Sequence, residues 1–175
     1  MIKAKMYLDF DGVFNAPKPP YDDVTTISVT VKDSKHIAEN SVITFSPSVI
    51  NRIERLLQEH DVELVWLTSW NDDNQILNVA RLMSGFPEGR VIQANLNHAA
   101  ENSHDWTLWK AEAILEDQKT YNTPFVWVDD NAPRYHESRV VEELTHTPSM
   151  VLTTVSETGL TVSDLENIES FLETI

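Results

Sequence analysis

Apolar runs rich in β-type residues alternate with helix-patterned stretches along the whole chain, and three of those runs end at clustered polar residues. The first run reaches Asp9. Val62 to Thr68 forms a second, Arg90 to Asn95 a short third, Phe125 to Val128 a fourth and Met150 to Val155 a fifth. Strands separated by helices predict a mainly parallel sheet covered by helices. One helix starts near Ser46-Pro47, with Val49, Ile50, Ile53, Leu56 and Leu57 on one face. Asn71, Asp72 or Asp73 is expected to cap the next, which turns Ile76, Ala80 and Met83 inward. A third runs from about Asp105 to Lys119. The last carries Leu165, Ile168, Phe171 and Leu172, with Thr161 and Asp164 in the form of a capping box. Thr25 to Val31 and Val42 to Ser46 read as a hairpin inserted after the first strand, beyond the loop Ala16-Pro17-Lys18-Pro19-Pro20.

Ligands of open α/β sheets bind beyond the carboxyl ends of the strands. Here those ends carry Asp9 and Asp11, then Thr68 and Ser69, then Asp129 and Asp130. Side chains two apart on a strand point the same way, so Asp9 and Asp11 are expected to crowd one small volume. Gly12 lets the backbone turn sharply beside them. Two close carboxylates are tolerable with a cation between them, or with one protonated.

Composition narrows the chemistry. The chain has 175 residues, enough to bury a core, and reads as one domain over 1–175 with a hairpin flap inserted at about 17–46. It has no cysteine, which excludes disulfides, zinc–thiolate sites and thiol nucleophiles. Lys3 and Lys5 interrupt any leader-like apolar segment, and no apolar run approaches a membrane span. The expected setting is the cytoplasm, without a membrane partner. Acidic residues number 28 against 13 basic ones, a formal charge of −15. That disfavours tracking along extended nucleic acid, but not a small phosphorylated substrate or a strand end.

The order strand-Asp-x-Asp-Gly, strand-Thr, helix-borne lysine, strand-Asp-Asp resembles the haloacid dehalogenase-like (HAD) phosphohydrolase superfamily. Leu8-Asp9-Phe10-Asp11-Gly12-Val13 is similar to its first motif and Trp66-Leu67-Thr68 to its second. Lys110 stands at the place of the third, and Val126-Trp127-Val128-Asp129-Asp130 resembles the fourth. Trp66-Leu67-Thr68-Ser69-Trp70, Asp129-Asp130-Asn131-Ala132-Pro133 and Thr158-Gly159-Leu160-Thr161 further resemble small HAD domains associated with phage and bacterial RNA-repair proteins. The resemblance implies a three-layer α/β sandwich of Rossmann type. Its mainly parallel sheet would have five strands, with the hairpin as a small flap and no large cap.

It also implies roles. Asp9 would be the nucleophile that forms an aspartyl-phosphate. Asp11 would be the general acid and base. Its presence points to phosphatases rather than to the dehalogenase branch. Thr68 would bond a phosphoryl oxygen, with Ser69 as a possible substitute. Lys110 is the only lysine between Lys35 and Lys119 and would offset the charge on the phosphate and on Asp9. Asp9, Asp11, Asp129 and Asp130 would form a Mg²⁺ site, Asp11 through its backbone carbonyl and Asp129 as the direct ligand. The expected reaction is Mg²⁺-dependent phosphomonoester hydrolysis, of a nucleotidase kind or at a nucleic-acid end.

Other readings stand beside these. A catalytically silent HAD-like scaffold would have lost such residues, whereas all of them are present. A nucleotide-sugar transferase using Asp9-x-Asp11 fits the small size and the Asp129-Asp130 pair poorly. No Walker loop is present, which disfavours kinase chemistry. Asp129-Asp130-Asn131 can also cap a helix with Pro133 in its first turn. Trp70 can stack on a base or simply pack. Trp66, Trp106, Trp109 and Trp127 read as core. Arg134 can reach a second phosphate or lie on the surface, and Asn15 stands near the nucleophile. His36, His60, His98, His104, His136 and His146 show no metal spacing.

Overall fold

The computed structural model describes residues 2–32, 38–83, 86, 88–93 and 107–175. Five parallel strands form one sheet: β1 (Ala4–Leu8), β4 (Val62–Trp66), β5 (Arg90–Val91), β6 (Phe125–Asp129) and β7 (Ser149–Thr153). Their order is β5-β4-β1-β6-β7. A second sheet is the antiparallel hairpin of β2 (Thr25–Lys32) and β3 (Ala38–Phe45). The helices are α1 (Pro47–Glu59), α2 (Gln75–Leu82), α3 (Leu108–Tyr121), α4 (Ala132–Glu143) and α5 (Val162–Leu172). This is the three-layer α/β arrangement with a small hairpin, and the described residues include no large cap. None of the described helices is long and apolar enough to cross a membrane.

Strand alternation builds the layers. Ala4, Met6 and Leu8 face a core shared with α1, α2, α5 and the hairpin. Tyr7 and its neighbours Val65 and Trp127 face a core under α3 and α4. A sheet covered on both faces needs apolar residues in both phases, and β1 and β6 are buried throughout. Trp66, Trp109 and Trp127 lie in these cores. The expected face of α1 is the buried one, and the Ser46 hydroxyl caps that helix by accepting from Val49 N. The Thr161–Asp164 capping box forms in both directions at α5.

Three local expectations are corrected. Asn71, Asp72 and Asp73 lie within a 3₁₀ helix, Ser69–Asn74, that runs directly into α2, so none of them is the residue just before that helix. Asn71 instead donates through Nδ2 to Trp66 O at 2.8 Å and Ile92 O at 2.6 Å, bracing the ends of β4 and β5. The third strand stops at Val91, because its neighbour β4 ends at Trp66 and offers no ladder beyond. The third helix begins at Leu108, later than Asp105. Asn95, Asp105, Trp106, His36, His98 and His104 lie outside the described residues.

β1 lies at the centre, with β4 on one side and β6 on the other. The chain moves outward through β4 and β5, then returns across β1 to β6 and β7. β1 is therefore the topological switch point, and a crevice opens beyond its carboxyl end. That places Asp9 at the mouth.

Helix α3 is aligned on β1 by two polar clusters as well as by apolar contact. Near the start of β1, Asp117 Oδ2 accepts from Lys5 Nζ at 2.7 Å, Tyr7 OH at 2.6 Å and Arg90 Nη2 at 2.8 Å. Those donors hold the Asp117 carboxyl below the usual carboxylate range against the upward push of burial. Lys5, which breaks the apolar run in sequence, is thus only 2% exposed and satisfied. Two helical turns earlier, Lys110 meets the other end of β1. Seven helical residues span about 10 Å, the reach of about three strand residues. Asp117 and Lys110 can therefore engage opposite ends of one short strand.

Candidate active site

Lys110 Nζ donates to Asp9 Oδ2 at 2.5 Å and to Asp129 Oδ2 at 2.6 Å. The three groups come from α3, β1 and β6, and all are buried. Asp9 Oδ1 accepts from Phe10 N at 2.7 Å. Asp129 Oδ1 accepts from Asn131 N at 2.9 Å and Ala132 N at 2.8 Å, so this carboxylate also ties down the start of α4. Capping of α4 and a place in the site thus coexist in Asp129, and Pro133 stands in the first turn of the helix.

The electrostatics follow from two carboxylates sharing one ammonium. Burial pushes the Asp9 carboxyl up to about 7; Lys110 opposes the rise and the Asp129 charge adds to it. Burial works to lower the Lys110 pKa, but Asp9 and Asp129 outweigh it and hold the ammonium above the ordinary lysine value. The cluster carries one surplus negative charge when both acids are ionised. A second cation is what its charge balance lacks.

Asp9, Asp129 and Asp130 each offer a carboxylate oxygen, all within 4.8 Å of one another. Hard oxygen donors at this spacing fit Mg²⁺, whose bonds of about 2.1 Å small side-chain shifts can meet. Asp130 Oδ2 accepts from Ser156 Oγ at 2.5 Å, in the loop after β7. The Asp11 carboxylate does not join this group. It lies exposed, Oδ1 accepting from Asn15 Nδ2 at 2.6 Å and Oδ2 from Trp70 Nε1 at 2.7 Å. The like charge that acts on Asp9 is that of Asp129, not the Asp11 neighbour that strand spacing suggests. β1 ends at Leu8, so neither Asp9 nor Asp11 is held in strand geometry and the two-residue alternation does not relate them.

Thr68 is fully buried. Leu67 N donates to Leu8 O at 2.8 Å, which sets Thr68 beside the step from Asp9 to Phe10. Its hydroxyl accepts from Trp70 N at 3.4 Å, while Ser69 is exposed. Arg134 is exposed in the first turn of α4. The Trp70 ring packs edge to face on Phe10, with centroids 5.5 Å apart.

Gly12 shows why this loop tolerates no side chain. Its φ is +69°, and an added Cβ would lie 2.5 Å from Asp130 Cγ. Thr154 Oγ1 donates to its carbonyl at 2.6 Å. Gly159 makes a similar approach, an added Cβ falling 2.5 Å from Val13 O. Leu160 N donates to that same carbonyl at 2.9 Å. The stretch Thr158-Gly159-Leu160-Thr161 is thus a support for the first motif. Gly12→Ala is expected to cost about 2 kcal/mol through left-handed strain and the clash. Urea melts check this, and a loss below about 0.5 kcal/mol contradicts the close approach.

Sequence reasoning missed Asp117, Ser156 and Thr154. Nothing local marks them, because each acts through a neighbour more than 25 residues away. A cavity of about 500 Å³ between α1 and α5 is lined by residues such as Tyr21, Arg52 and Leu165, and by none of the motif residues.

No curated protein matches the chain. Among solved structures, it overlays on 3-deoxy-D-manno-octulosonate 8-phosphate phosphatase from Moraxella catarrhalis, crystallised with magnesium ion, phosphate ion and KDO. The TM-score is 0.47 at 15% identity, over 98% of this chain and 86% of that one. A model of the HAD domain in Swiss Army Knife RNA repair proteins matches residues 6–165. With nine-tenths of its length inside that match, and the four motif segments within it, the chain belongs to this HAD family.

Proposed function

We propose that this HAD-type phosphatase hydrolyses phosphomonoesters through a phosphorylated Asp9, on a nucleotide or on the phosphate end of a nucleic acid. The observation that carries the reading is the Lys110 ammonium, brought across 101 residues of sequence to lie 2.5 Å from the Asp9 carboxylate. An Asp9 oxygen bonds to phosphorus as the ester P–O bond breaks, and Asp11 gives its proton to the leaving oxygen. Asp11 then takes a proton from water as the water oxygen bonds to phosphorus and the Asp9 O–P bond breaks. Lys110 and the Thr68 hydroxyl face the phosphoryl oxygens and offset their charge. Asp9, Asp129 and Asp130 would hold Mg²⁺, which when bound balances the acidic cluster and polarises the phosphoryl group.

The exposed Asp11 can exchange protons with water, as a group that alternates between acid and base must. Residues 1–175 then act as one domain, with the β2–β3 hairpin as its flap. The charge of −15 favours short ends over long polyanions.

The test is phosphate release from nucleoside monophosphates and from oligonucleotides with 5′- or 3′-terminal phosphate. Turnover is expected with Mg²⁺ and should fall at least about 100-fold on chelation, returning when the metal is restored. Acid quenching during turnover should trap labelled phosphate on the protein. Turnover that survives chelation, or a quench with no labelled protein, refutes the mechanism.

A further inference from the structure

Asp11 is gripped by two side chains that are themselves anchored elsewhere. Asn15 Nδ2 reaches Oδ1 at 2.6 Å, and the Trp70 indole N–H reaches Oδ2 at 2.7 Å. Asn15 Oδ1 in turn accepts from Thr44 N of β3 at 2.9 Å, and Ala16 N donates to Thr44 O at 3.0 Å. Residues 15–16 thus run against the edge of the hairpin. Gly12 N donates to Asn15 O at 2.8 Å and Asn15 N to Phe10 O at 3.1 Å, which folds Asn15 back over Asp11. The amide orientation follows from its partners. A flipped Asn15 would set two acceptors together at Asp11 and two donors together at Thr44.

We propose that Asn15 and Trp70 are positioning residues that aim the Asp11 carboxyl for proton transfer, with Asn15 coupling that aim to the seating of the β2–β3 hairpin. The proposal rests on the reading of Asp9 as nucleophile and Asp11 as its acid and base. An exposed carboxyl on a glycine turn has free rotamers. Two donors from separate elements remove that freedom before substrate arrives. Neither donor changes its own protonation near neutral pH, so their part is orientation. In the first step the Asp11 O–H bond breaks as the leaving oxygen takes the proton. In the second an Asp11 oxygen takes a proton from the attacking water.

Two variants separate aim from packing. Trp70→Phe keeps a ring on Phe10 and deletes the N–H. Asn15→Asp keeps the shape and the acceptor for Thr44 N, but turns a carboxyl oxygen towards Asp11. A good leaving group needs no acid in the first step, whereas an alkoxide does. With glycerol phosphate, kcat should fall about 10- to 100-fold in both variants. With p-nitrophenyl phosphate the first-turnover burst should survive while the steady state slows, because the second step still needs Asp11. Measured against wild type at the same pH, Asn15→Asp should recover as pH falls, once the introduced carboxyl carries a proton and donates again.

Equal losses on both substrates with the burst gone, or no loss in either variant, overturns the proposal. So does an Asn15→Asp pH profile parallel to wild type. The Trp70 indole N–H resonance provides a reading that needs no turnover: it should move upfield in Asp11→Asn, and an unmoved signal also overturns the proposal. Turnover retained by Asp9→Asn strikes the nucleophile assignment instead, so the two failures are told apart.

Discussion

Asp9→Asn is expected to lose at least about 10⁴-fold in kcat, yet to be more stable than wild type in the absence of metal. Loss of the attacking oxygen removes the covalent route, and an amide does not replace it. The gain in stability has a separate cause. In the folded protein burial raises the Asp9 carboxyl to about 7, above its ordinary value of 3.8. Between those values the folded state binds more proton than the unfolded chain, so stability from this group falls as pH rises through the window. Above about pH 7 the whole penalty is present. An amide escapes it, and Lys110 keeps Asp129 as a partner. Thermal melts in chelator should therefore show the variant ahead by several degrees at pH 8, with the lead shrinking towards pH 4. A lead that does not change with pH refutes the titration account, and kcat near wild type would falsify the nucleophile assignment.

Lys110→Met should be the most destabilising substitution in the site. It keeps much of the side chain's volume but leaves Asp9 and Asp129 facing each other, buried, without the ammonium that both now bond. Removing one partner from a buried ionic group costs about 3–5 kcal/mol. The loss should be smaller at low pH, where a proton on Asp9 replaces the lost cation, and should grow as pH rises. Adding Asp9→Asn should recover part of it, because one of the opposed charges is gone. That non-additivity is the signature of a shared cluster. Denaturant melts of both single variants and the double one check it, and strict additivity counts against the three-group arrangement. Lys110→Arg is not a safe substitute, since a planar guanidinium cannot direct two bonds into the space of one ammonium. Activity should fall in every Lys110 variant with the charge removed, by about 10³-fold.

The carboxyl ends of the strands were the most readable part of the chain. A strand's end follows from its apolar run, so Asp9, Thr68 and Asp129 could be placed at strand ends before any fold was known, while the roles expected of them came from the resemblance to HAD proteins. Lys110 was readable only as an isolated lysine on a helix. What brings it to Asp9 is the placing of α3 by Asp117 on Lys5, Tyr7 and Arg90, and nothing in the local pattern announces that hub. Local reasoning was misled at Asn71, whose cap-like identity serves a bridge between two strand ends. It was misled again at Asp11, because β1 ends at Leu8 and strand alternation does not extend over Asp9 and Asp11. Ser156 was unreadable, because its partner Asp130 is near only when β7 lies beside β6.

By itself the order of residues determined the layered α/β class and which acidic and hydroxyl residues stand at the strand ends. These are local properties, set by side-chain alternation, helical spacing and the chemistry of carboxylates. Tertiary structure alone decided which carboxylate shares the ammonium with Asp9, which donors grip Asp11 and which loop buttresses Gly12. Those pairings depend on the strand order β5-β4-β1-β6-β7, which joins segments far apart in the chain through long-range packing.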